Sequence, residues 1–490
     1  MKTITGLNIE FYLNDQLIKD TVTPETSALT FIRERLGLTG SKEVCAEGDC
    51  GACTIAVGRF DQNKQYFSYL AINSCILPAV KLHGAHVITI EGLAKNNQLH
   101  LIQQAMLENH AVQCGYCTAG MIMALFCLFA NNQQPNEKEI LAALEGNLCR
   151  CTGYKFIQKS AFSITNSLKN KEIISTCFFP ETAKAIHEAI QKSKPKAISA
   201  TIISAKPTDS CESYLIPTTL NELFIHMEKR QGDFKILNGG TDLMVPANLH
   251  NIWPRCFIDI SMLNELHGIN ADQNQMTFGA NVTFSEILAN DLVKQKLPIL
   301  GHAISQMSST QIRNVATLAG NIANASPIAD AACMLLALDA ELVLLSRHGE
   351  RRIKLAGFYQ GYKVIDLDST KEIIAKIIVP FESGFCHFEK TSRRRALSIA
   401  TVNSAIKLHR DNNNTITTCH IAFGGIAKFP TRSKNTQEYL IGKKLNSETI
   451  SLAATIAGAE FEPISDVRGS ADYRIILIKN HIIKHLELCK

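Results

Sequence analysis

Eight of the sixteen cysteines in this 490-residue chain fall into two groups, and their spacing constrains the fold more than any other feature. The stretch CAEGDCGACT places Cys45, Cys50 and Cys53 close together, and Cys75 follows downstream. The second group is QCGYC, with Cys114 and Cys117, then NLCRCTGY, with Cys149 and Cys151. Cysteines packed this closely serve as a zinc knuckle, a disulfide loop or the rim of an iron–sulfur cluster. The other eight (Cys127, Cys177, Cys211, Cys256, Cys333, Cys386, Cys419 and Cys489) are scattered and read as small buried hydrophobes or bystanders.

The redox compartment helps to decide. The opening sequence MKTITGLNIEFYLNDQLIKD carries an acidic residue by position 10 and alternates, unlike a secretory signal. The longest apolar run, MIMALFCLFA, is too short for the roughly 20 residues a bilayer span needs and predicts a buried helix. The expectation is a cytoplasmic chain with no membrane partner, where clustered thiols bind metal more often than they form disulfides.

The first group reads C-x4-C-x2-C and then a distant fourth cysteine, the spacing of a plant-type [2Fe–2S] centre. Structural zinc sites usually start from paired C-x2-4-C elements, which this pattern fits poorly. Four thiolates and two sulfides carry excess negative charge, so backbone N–H groups must turn towards them. Gly48 and Gly51 allow that turn. Upstream, LNIEFYLNDQLIKD predicts a hairpin turning at Asn14-Asp15, and SALTFIRERLGL predicts a helix ended by Gly37. Together they suit a small ferredoxin-like β-grasp domain. The C-x-C of the second group is unusual for tetrahedral zinc. It lies among three helical patterns, with Asn136 a candidate cap, and a second cluster and zinc both remain open.

Composition sets broad limits. A 46% hydrophobic and 19% charged chain of this length predicts about three folded domains. A net charge of +5 without a long basic run gives no case for nucleic acid. His83, His86, His100 and His110 lie near the cysteine segments but read as core or surface residues, because eight cysteines already complete two four-ligand sites.

Residues 162–212 are rich in Lys, Ser and Thr and predict a linker with a little local helix. After it, FKILNGGTDLM is a strand followed by a Gly-Gly turn. It is either a plain turn or an anion nest built from the N–H groups of Gly239, Gly240 and Thr241. TLAGNIANASPIADAACMLLALDAELVLL reads as a tight turn into a buried helix, with Gly320, Asn321, Asn324, Ser326 and Asp330 as small polar groups beside it.

CAEGDCGACT, QCGYCTAGM and GNLCRCTGY, in that order, resemble the iron–sulfur region of the molybdenum hydroxylases, the xanthine dehydrogenase family. The resemblance implies two [2Fe–2S] clusters, one on each cysteine group. Ala119 departs from it, standing where the family usually has proline. Both glycine loops resemble the flavin domain of the same family. This implies FAD contacts from Leu237, Asn238, Gly239, Gly240, Thr241, Asp242, Thr317, Gly320, Asn321, Asn324 and Asp330. FYQGYK and HFEKTSRRRALSIA resemble family segments at the flavin edge, which makes Tyr362 and Lys390 candidates there. Met307 and Ser398 stand where relatives often have an aromatic and an aspartate, and both bear on flavin potential or acceptor choice. The run Arg393–Arg395 reads equally as a solvated face.

The implied fold class is α+β and multidomain. It comprises a ferredoxin-like β-grasp [2Fe–2S] domain (1–85), a helical [2Fe–2S] domain (86–161), the linker (162–212), a two-part α+β FAD-binding domain of the PCMH/VAO type (213–384) and a C-terminal flavoprotein subdomain (385–490). The family's molybdopterin domain is larger than this whole chain, which implies a separate large molybdopterin-binding subunit in a dimer of heterodimers. Fusion of clusters and flavin resembles the small subunit of a split bacterial xanthine dehydrogenase, with NAD+ as acceptor. The alternatives are the same subunit in an aldehyde or N-heterocycle dehydrogenase, or a non-catalytic zinc-binding scaffold.

Overall fold

A computed structural model describes residues 6–61, 66–169, 186, 188, 199–201, 211–381 and 383–490. The chain divides into two compact units. One comprises Met1–Thr218, Asp233–Met262 and Ser309–Val315, and the other Thr219–Gly232, Leu263–Ser308 and Ala316–Lys490.

The first unit begins with strand Leu7–Leu13, which buries Leu7, Ile9, Phe11 and Leu13 on one face, the period-two pattern of a half-buried strand. Asn14 and Asp15 take positive φ (49° and 69°) and turn the chain into Gln16–Val22. These are the angles a two-residue hairpin demands, and Asn and Asp tolerate them. Among the described residues the sheet runs Gln16–Val22, Leu7–Leu13, His86–Ile88, Thr54–Asp61, Tyr66–Asn73, with only the Leu7–Leu13/His86–Ile88 pair parallel. A short helix, Ala28–Thr30, continues as a π-helical turn, Phe31–Arg35. It is capped by Ser27, buries Leu29, Phe31 and Ile32, and is followed by Gly37 at φ 71°. This is a β-grasp arrangement.

Four helices follow among the described residues: Leu101–Glu108, Thr118–Asn131, Glu137–Leu144 and Lys155–Lys169. His100 and Asn136 begin the first and third with reciprocal capping boxes to Gln103 and Glu139. The apolar run inside Thr118–Asn131 is almost wholly buried and forms the centre of this core with Ile102, Met106, Ile140, Ile157 and Ile164. The fourth helix continues through residues 162–169, so the start of the segment read as linker is helical. Ser199–Thr201 pairs as an edge strand with Ser213–Leu215. Most of the remaining linker lies outside the described residues. Ser213–Leu215, Cys256–Asp259 and Lys235–Leu237 then lie parallel in that order.

The second unit contains an antiparallel sheet ordered Ile269–Ala271, Gln275–Gly279, Ile373–Pro380, Glu341–Ser346, Gly349–Lys354 among the described residues. Helix Asp330–Ala337 is buried on every side. The C-terminal part is a second antiparallel sheet, Phe385–Ser392, Ala400–Arg410, Ile416–Gly424 and Thr431–Arg432, followed by helices Lys434–Leu440, Ser447–Glu460 and Ala471–Cys489. Val402, Ile406 and Phe423 from the sheet meet Ala453, Ile478, Ile482 and Leu486 from the helices. Among the described residues no helix is long and apolar enough to cross a membrane.

Candidate iron–sulfur and flavin sites

The loop between the π-helical turn and strand Thr54–Asp61 carries Cys45, Cys50 and Cys53. It is bent by positive φ at Ala46 (56°), Gly48 (79°) and Gly51 (71°). Side chains clamp the bends. The Asn73 amide donates to Gly48 O at 2.6 Å, and the Asn248 amide donates to Ala46 O at 2.9 Å and Cys75 O at 2.8 Å. Cys53 Sγ lies 3.4 Å from Cys75 Sγ, and Cys45 reaches both Cys50 and Cys75. Hydrogen bonds from neighbouring thiols hold Cys45 and Cys53 below the ordinary thiol range, while the same contacts push Cys50 and Cys75 up. Four thiols in contact cannot all ionise without a counter-charge, and a cationic iron pair would supply it.

The second group forms at the start of helix Thr118–Asn131 and in the loop after Glu137–Leu144. Cys151 Sγ lies 3.7 Å from Cys114 Sγ, and Cys117 reaches Cys149. Burial foremost, with Cys149 beside it, pushes the Cys117 thiol up to about 12. Tyr154 Oη accepts the Cys149 N–H at 2.9 Å, and Thr152 Oγ1 is 3.2 Å from Cys149 Sγ. Cys53 and Cys75 are buried, whereas Cys114 and Cys151 are exposed. In the first group the four thiols form one connected set, Cys50–Cys45–Cys75–Cys53, and in the second they form two pairs, Cys114–Cys151 and Cys117–Cys149. Four thiols at each place suit a binuclear centre, and the residues fit a [2Fe–2S] cluster there.

The two cysteine loops touch through backbone. Leu148 N–H donates to Cys50 O at 2.9 Å. A Cβ on Gly51 would stand 2.2 Å from Gly146 O, and one on Gly120 would stand 2.2 Å from Gly51 O. Only glycine permits this approach. The four nearby histidines play local structural parts. His83 Nδ1 accepts from Glu10 N–H, His86 is buried against Tyr69 and Asp15, His100 caps a helix, and His110 turns the chain at positive φ.

The flavin candidates fall on two loops, one in each unit. In the first unit, strand Lys235–Leu237 ends at the buried Leu237. The chain then turns through Asn238, Gly239, Gly240 (φ 74°), Thr241 and Asp242 into helix Met244–His250. In the second unit, Thr317 caps helix Leu318–Asn324 by accepting from Gly320 N–H. Asn321 Oδ1 is buried with no hydrogen-bond partner among the described residues, an acceptor left for a ligand donor. Asn324 Oδ1 accepts from Lys363 Nζ at 2.8 Å. Asp330 is buried and accepts from Lys390 Nζ at 2.7 Å and from Asn403 Nδ2. Burial raises its carboxyl above the ordinary range, opposed by Lys390. Lys390 also donates to Gln306 O at 2.8 Å. Tyr362 is exposed, Met307 is buried and Ser398 is half-buried.

Arg393, Arg394 and Arg395 line a cavity of about 380 Å³ together with Gln306, Lys390, Thr391 and Ser392. Sequence reasoning missed Lys363 and Asn403. Asn403 left a signal as a lone amide in an apolar strand, whereas Lys363 is an unremarked lysine beside Tyr362.

Comparison with known proteins sharpens the class. The [2Fe–2S] binding domain family matches residues 89–161, and the FAD binding domain in molybdopterin dehydrogenase matches 208–382. The CO dehydrogenase flavoprotein C-terminal domain matches 387–488. The chain therefore resembles, in order, an iron–sulfur domain, an FAD-binding domain of the molybdopterin dehydrogenase kind and a flavoprotein C-terminal domain. It is similar to the xanthine dehydrogenase of Emericella nidulans, 30% identical over 92% of this chain and 36% of that protein. It is also similar to that of Arabidopsis thaliana, 29% identical over 90% and 36%. It spans well under half the length of these curated relatives.

Among solved structures, carbon monoxide dehydrogenase from Hydrogenophaga pseudoflava, in a form lacking the Mo-pyranopterin moiety, matches with TM-score 0.54 and 28% identity. The match covers 56% of this chain and 96% of that one. Quinoline 2-oxidoreductase from Pseudomonas putida 86 matches with TM-score 0.52 and 25% identity, over 56% and 95%.

Proposed function

We propose that the chain is the electron-transfer subunit of a xanthine dehydrogenase. It carries electrons from a partner molybdopterin-binding subunit through two [2Fe–2S] clusters and FAD to NAD+ during oxidation of hypoxanthine and xanthine to urate. The observation that carries the reading is the pair of cysteine groups, each bringing four thiols together, joined backbone to backbone by Leu148 N–H and Cys50 O. When bound, the clusters take up single electrons and the flavin converts between one- and two-electron steps.

The residues supply the rest. Cys45, Cys50, Cys53 and Cys75 would hold one iron pair, and Cys114, Cys117, Cys149 and Cys151 would hold the other. Burial and backbone N–H groups around the first loop tune it differently from the exposed second loop. Leu237–Asp242, and likewise Thr317, Gly320, Asn321, Asn324 and Asp330, would supply flavin contacts. Asn321 offers its free acceptor, and the Asp330–Lys390 pair fixes a charge beside the flavin edge. On this reading Tyr362 and Lys390 would stand at the flavin edge where NAD+ is reduced, in a cytoplasmic dimer of heterodimers. A second reading, the same subunit serving an N-heterocycle or carbon monoxide hydroxylase, is favoured by the fold likeness to quinoline 2-oxidoreductase and carbon monoxide dehydrogenase.

The test starts with metal and flavin analysis of anaerobically purified chain, then NADH-driven cluster reduction followed by EPR. Two distinct [2Fe–2S] signals and one FAD are expected. Zinc in place of iron would sink the reading. Turnover of xanthine against quinoline and carbon monoxide, with the large subunit added, separates the two readings.

A further inference from the structure

The C-terminal part of the second unit holds a buried polar chain that the proposed electron path does not use. Thr391 Oγ1 lies 2.8 Å from His481 Nε2, and His481 Nδ1 lies 2.8 Å from Ser404 Oγ. Ser404 Oγ lies 2.7 Å from His485 Nε2, and His485 Nδ1 lies 2.7 Å from His387 Nδ1. Every link is within hydrogen-bond distance, and each of the two central imidazoles is entered at one ring nitrogen and left at the other. Ser404 and His485 are fully buried and His481 is 3% exposed. The two histidines come from one face of helix Ala471–Cys489, four residues apart, and the other three groups come from the adjoining strands Phe385–Ser392 and Ala400–Arg410.

One end of this chain, Thr391, lines the cavity that also contains Lys390 and the three arginines. The other end, His387, is half-buried at the outer margin. Buried polar side chains without a packing need are expensive unless fully satisfied. A core that required only volume here would use leucine, as it does at Leu477 and Leu486 on the same helix.

We propose that Thr391, His481, Ser404, His485 and His387 form a proton relay between the Lys390 cavity and the outer margin of the C-terminal sheet. The assignment of its inner end to the flavin edge rests on the function proposed above. The relay works only if its hydrogen bonds all point one way. With His485 and His481 both carrying hydrogen on Nε2, His387 donates to His485, His485 to Ser404, Ser404 to His481, and His481 to Thr391. A proton arriving at His387 displaces one along each link, and one leaves at Thr391. Only N–H and O–H bonds form and break, no electron moves, and the proton count balances. With both hydrogens on Nδ1 the chain runs in reverse.

Both imidazoles must stay neutral for this. Burial holds His481 down at about 4 and His485 well below the ordinary histidine range. The charged and titratable groups that act on them are His387, Lys484 and its partner Glu389, with His302 acting on His387.

The first test needs no flavin. Nitrogen NMR of the full chain labelled with 15N-histidine reads each tautomer, with signals assigned from His481→Gln and His485→Gln. Matching tautomers at the two positions, both Nε2–H or both Nδ1–H, are expected between pH 6 and 8. Opposed tautomers, both donating to Ser404 or both accepting from it, would break the wire and overturn the proposal, as would a charged imidazole at either position.

The second test follows proton uptake by the intact, flavin-loaded chain with an indicator dye during rapid reduction by dithionite. Ser404→Ala should slow uptake by about a hundredfold or more, the usual range for a lost proton-transfer group. Thr391→Val, a milder change at the cavity end, should do the same. Unchanged uptake in both variants, despite matched tautomers, refutes the relay as a working conduit. A chain that binds no flavin refutes the earlier reading and leaves the tautomer result to decide this one.

Discussion

Lys390→Met should destabilise the second unit in a way that depends on pH. Lys390 and Asp330 pair at 2.7 Å with side chains only 5% and 8% exposed. Removing the cation leaves a buried carboxylate supported by Asn403 alone. Breaking one side of such a pair costs about 3–5 kcal/mol. One pKa unit corresponds to about 1.4 kcal/mol, so the same energy drives Asp330 upward by roughly 2–4 units in the variant. Burial already holds this carboxyl above its ordinary value, and Lys390 is the main opposing influence.

The sign follows from linkage. A carboxyl whose folded pKa is raised binds a proton in the folded state that the unfolded chain has released. Stability is therefore retained below the unfolded value near 4 and lost as pH rises through the raised folded value. The variant's deficit against wild type should be largest at pH 8 and smaller at pH 5. Thermal unfolding of the flavin-free chain would read it. A 3 kcal/mol deficit lowers the transition by roughly 6–12 °C for a unit of this size. Adding Asp330→Asn to Lys390→Met should recover much of the loss at pH 8. An equal loss at both pH values, or a larger one at pH 5, would refute the buried-charge argument.

Gly240→Ala should cost about 1–2 kcal/mol through its positive φ. The new Cβ would also lie 3.3 Å from Leu237 Cδ1 and Met244 Cγ, and urea unfolding checks the cost while flavin content should fall with it. Cys75→Ser and Cys151→Ser should each reduce iron from about four to about two per chain, because each removes one binuclear site. Two different EPR signals should disappear, and loss of the same signal from both variants would contradict separate sites. Arg313→Met leaves Glu145 buried without its cation, and burial already pushes that carboxyl up. A cost of about 3 kcal/mol is expected, read as faster hydrogen exchange in helix Glu137–Leu144.

What the sequence made legible follows from how local each signal was. The Asn14-Asp15 hairpin, the Asn136 cap and the apolar run of Thr118–Asn131 are written in a few neighbouring residues, and each forms as read. Cysteine spacing is similarly local, and within each group the thiols lie in contact with one another. By contrast, the helix starting at Lys155 runs on through polar sequence, where Lys and Ser content hides its amphipathic period. The Thr391–His387 chain was invisible because its residues lie in two strands and a helix. Only a strand register pairing Glu389 with Ser404 brings them into line. Arg393–Arg395 reads as a solvated face on charge alone, and the cavity it lines depends on Gln306 far upstream.

Asn147 shows how the two cysteine groups are held as one object. Its side chain is 1% exposed, lies two positions before Cys149 and uses both ends of its amide. Nδ2 donates to Gly51 O at 2.9 Å, and Oδ1 accepts from Gln311 Nε2 at 2.7 Å. The close approach of Gly51, Gly120 and Gly146 leaves room for this one amide and for no larger side chain. Asn147→Ala strands the buried Gln311 amide donor, about 1–3 kcal/mol, and removes one of three bonds to Gly51 O, which keeps those from Thr54 N–H and Oγ1. Because Gly51 belongs to the first cysteine loop and Asn147 itself to the second, the loss should reach both sides. Hydrogen exchange should rise in residues 48–54 and 146–151 together, and iron loading should fall in both groups. Asn147→Asp keeps the acceptor but adds a buried charge facing Gly51 O, so it should be worse than alanine. If exchange rises around Cys149 alone while the Cys50 loop stays protected, the two sites are coupled by packing of the glycines and not by this amide.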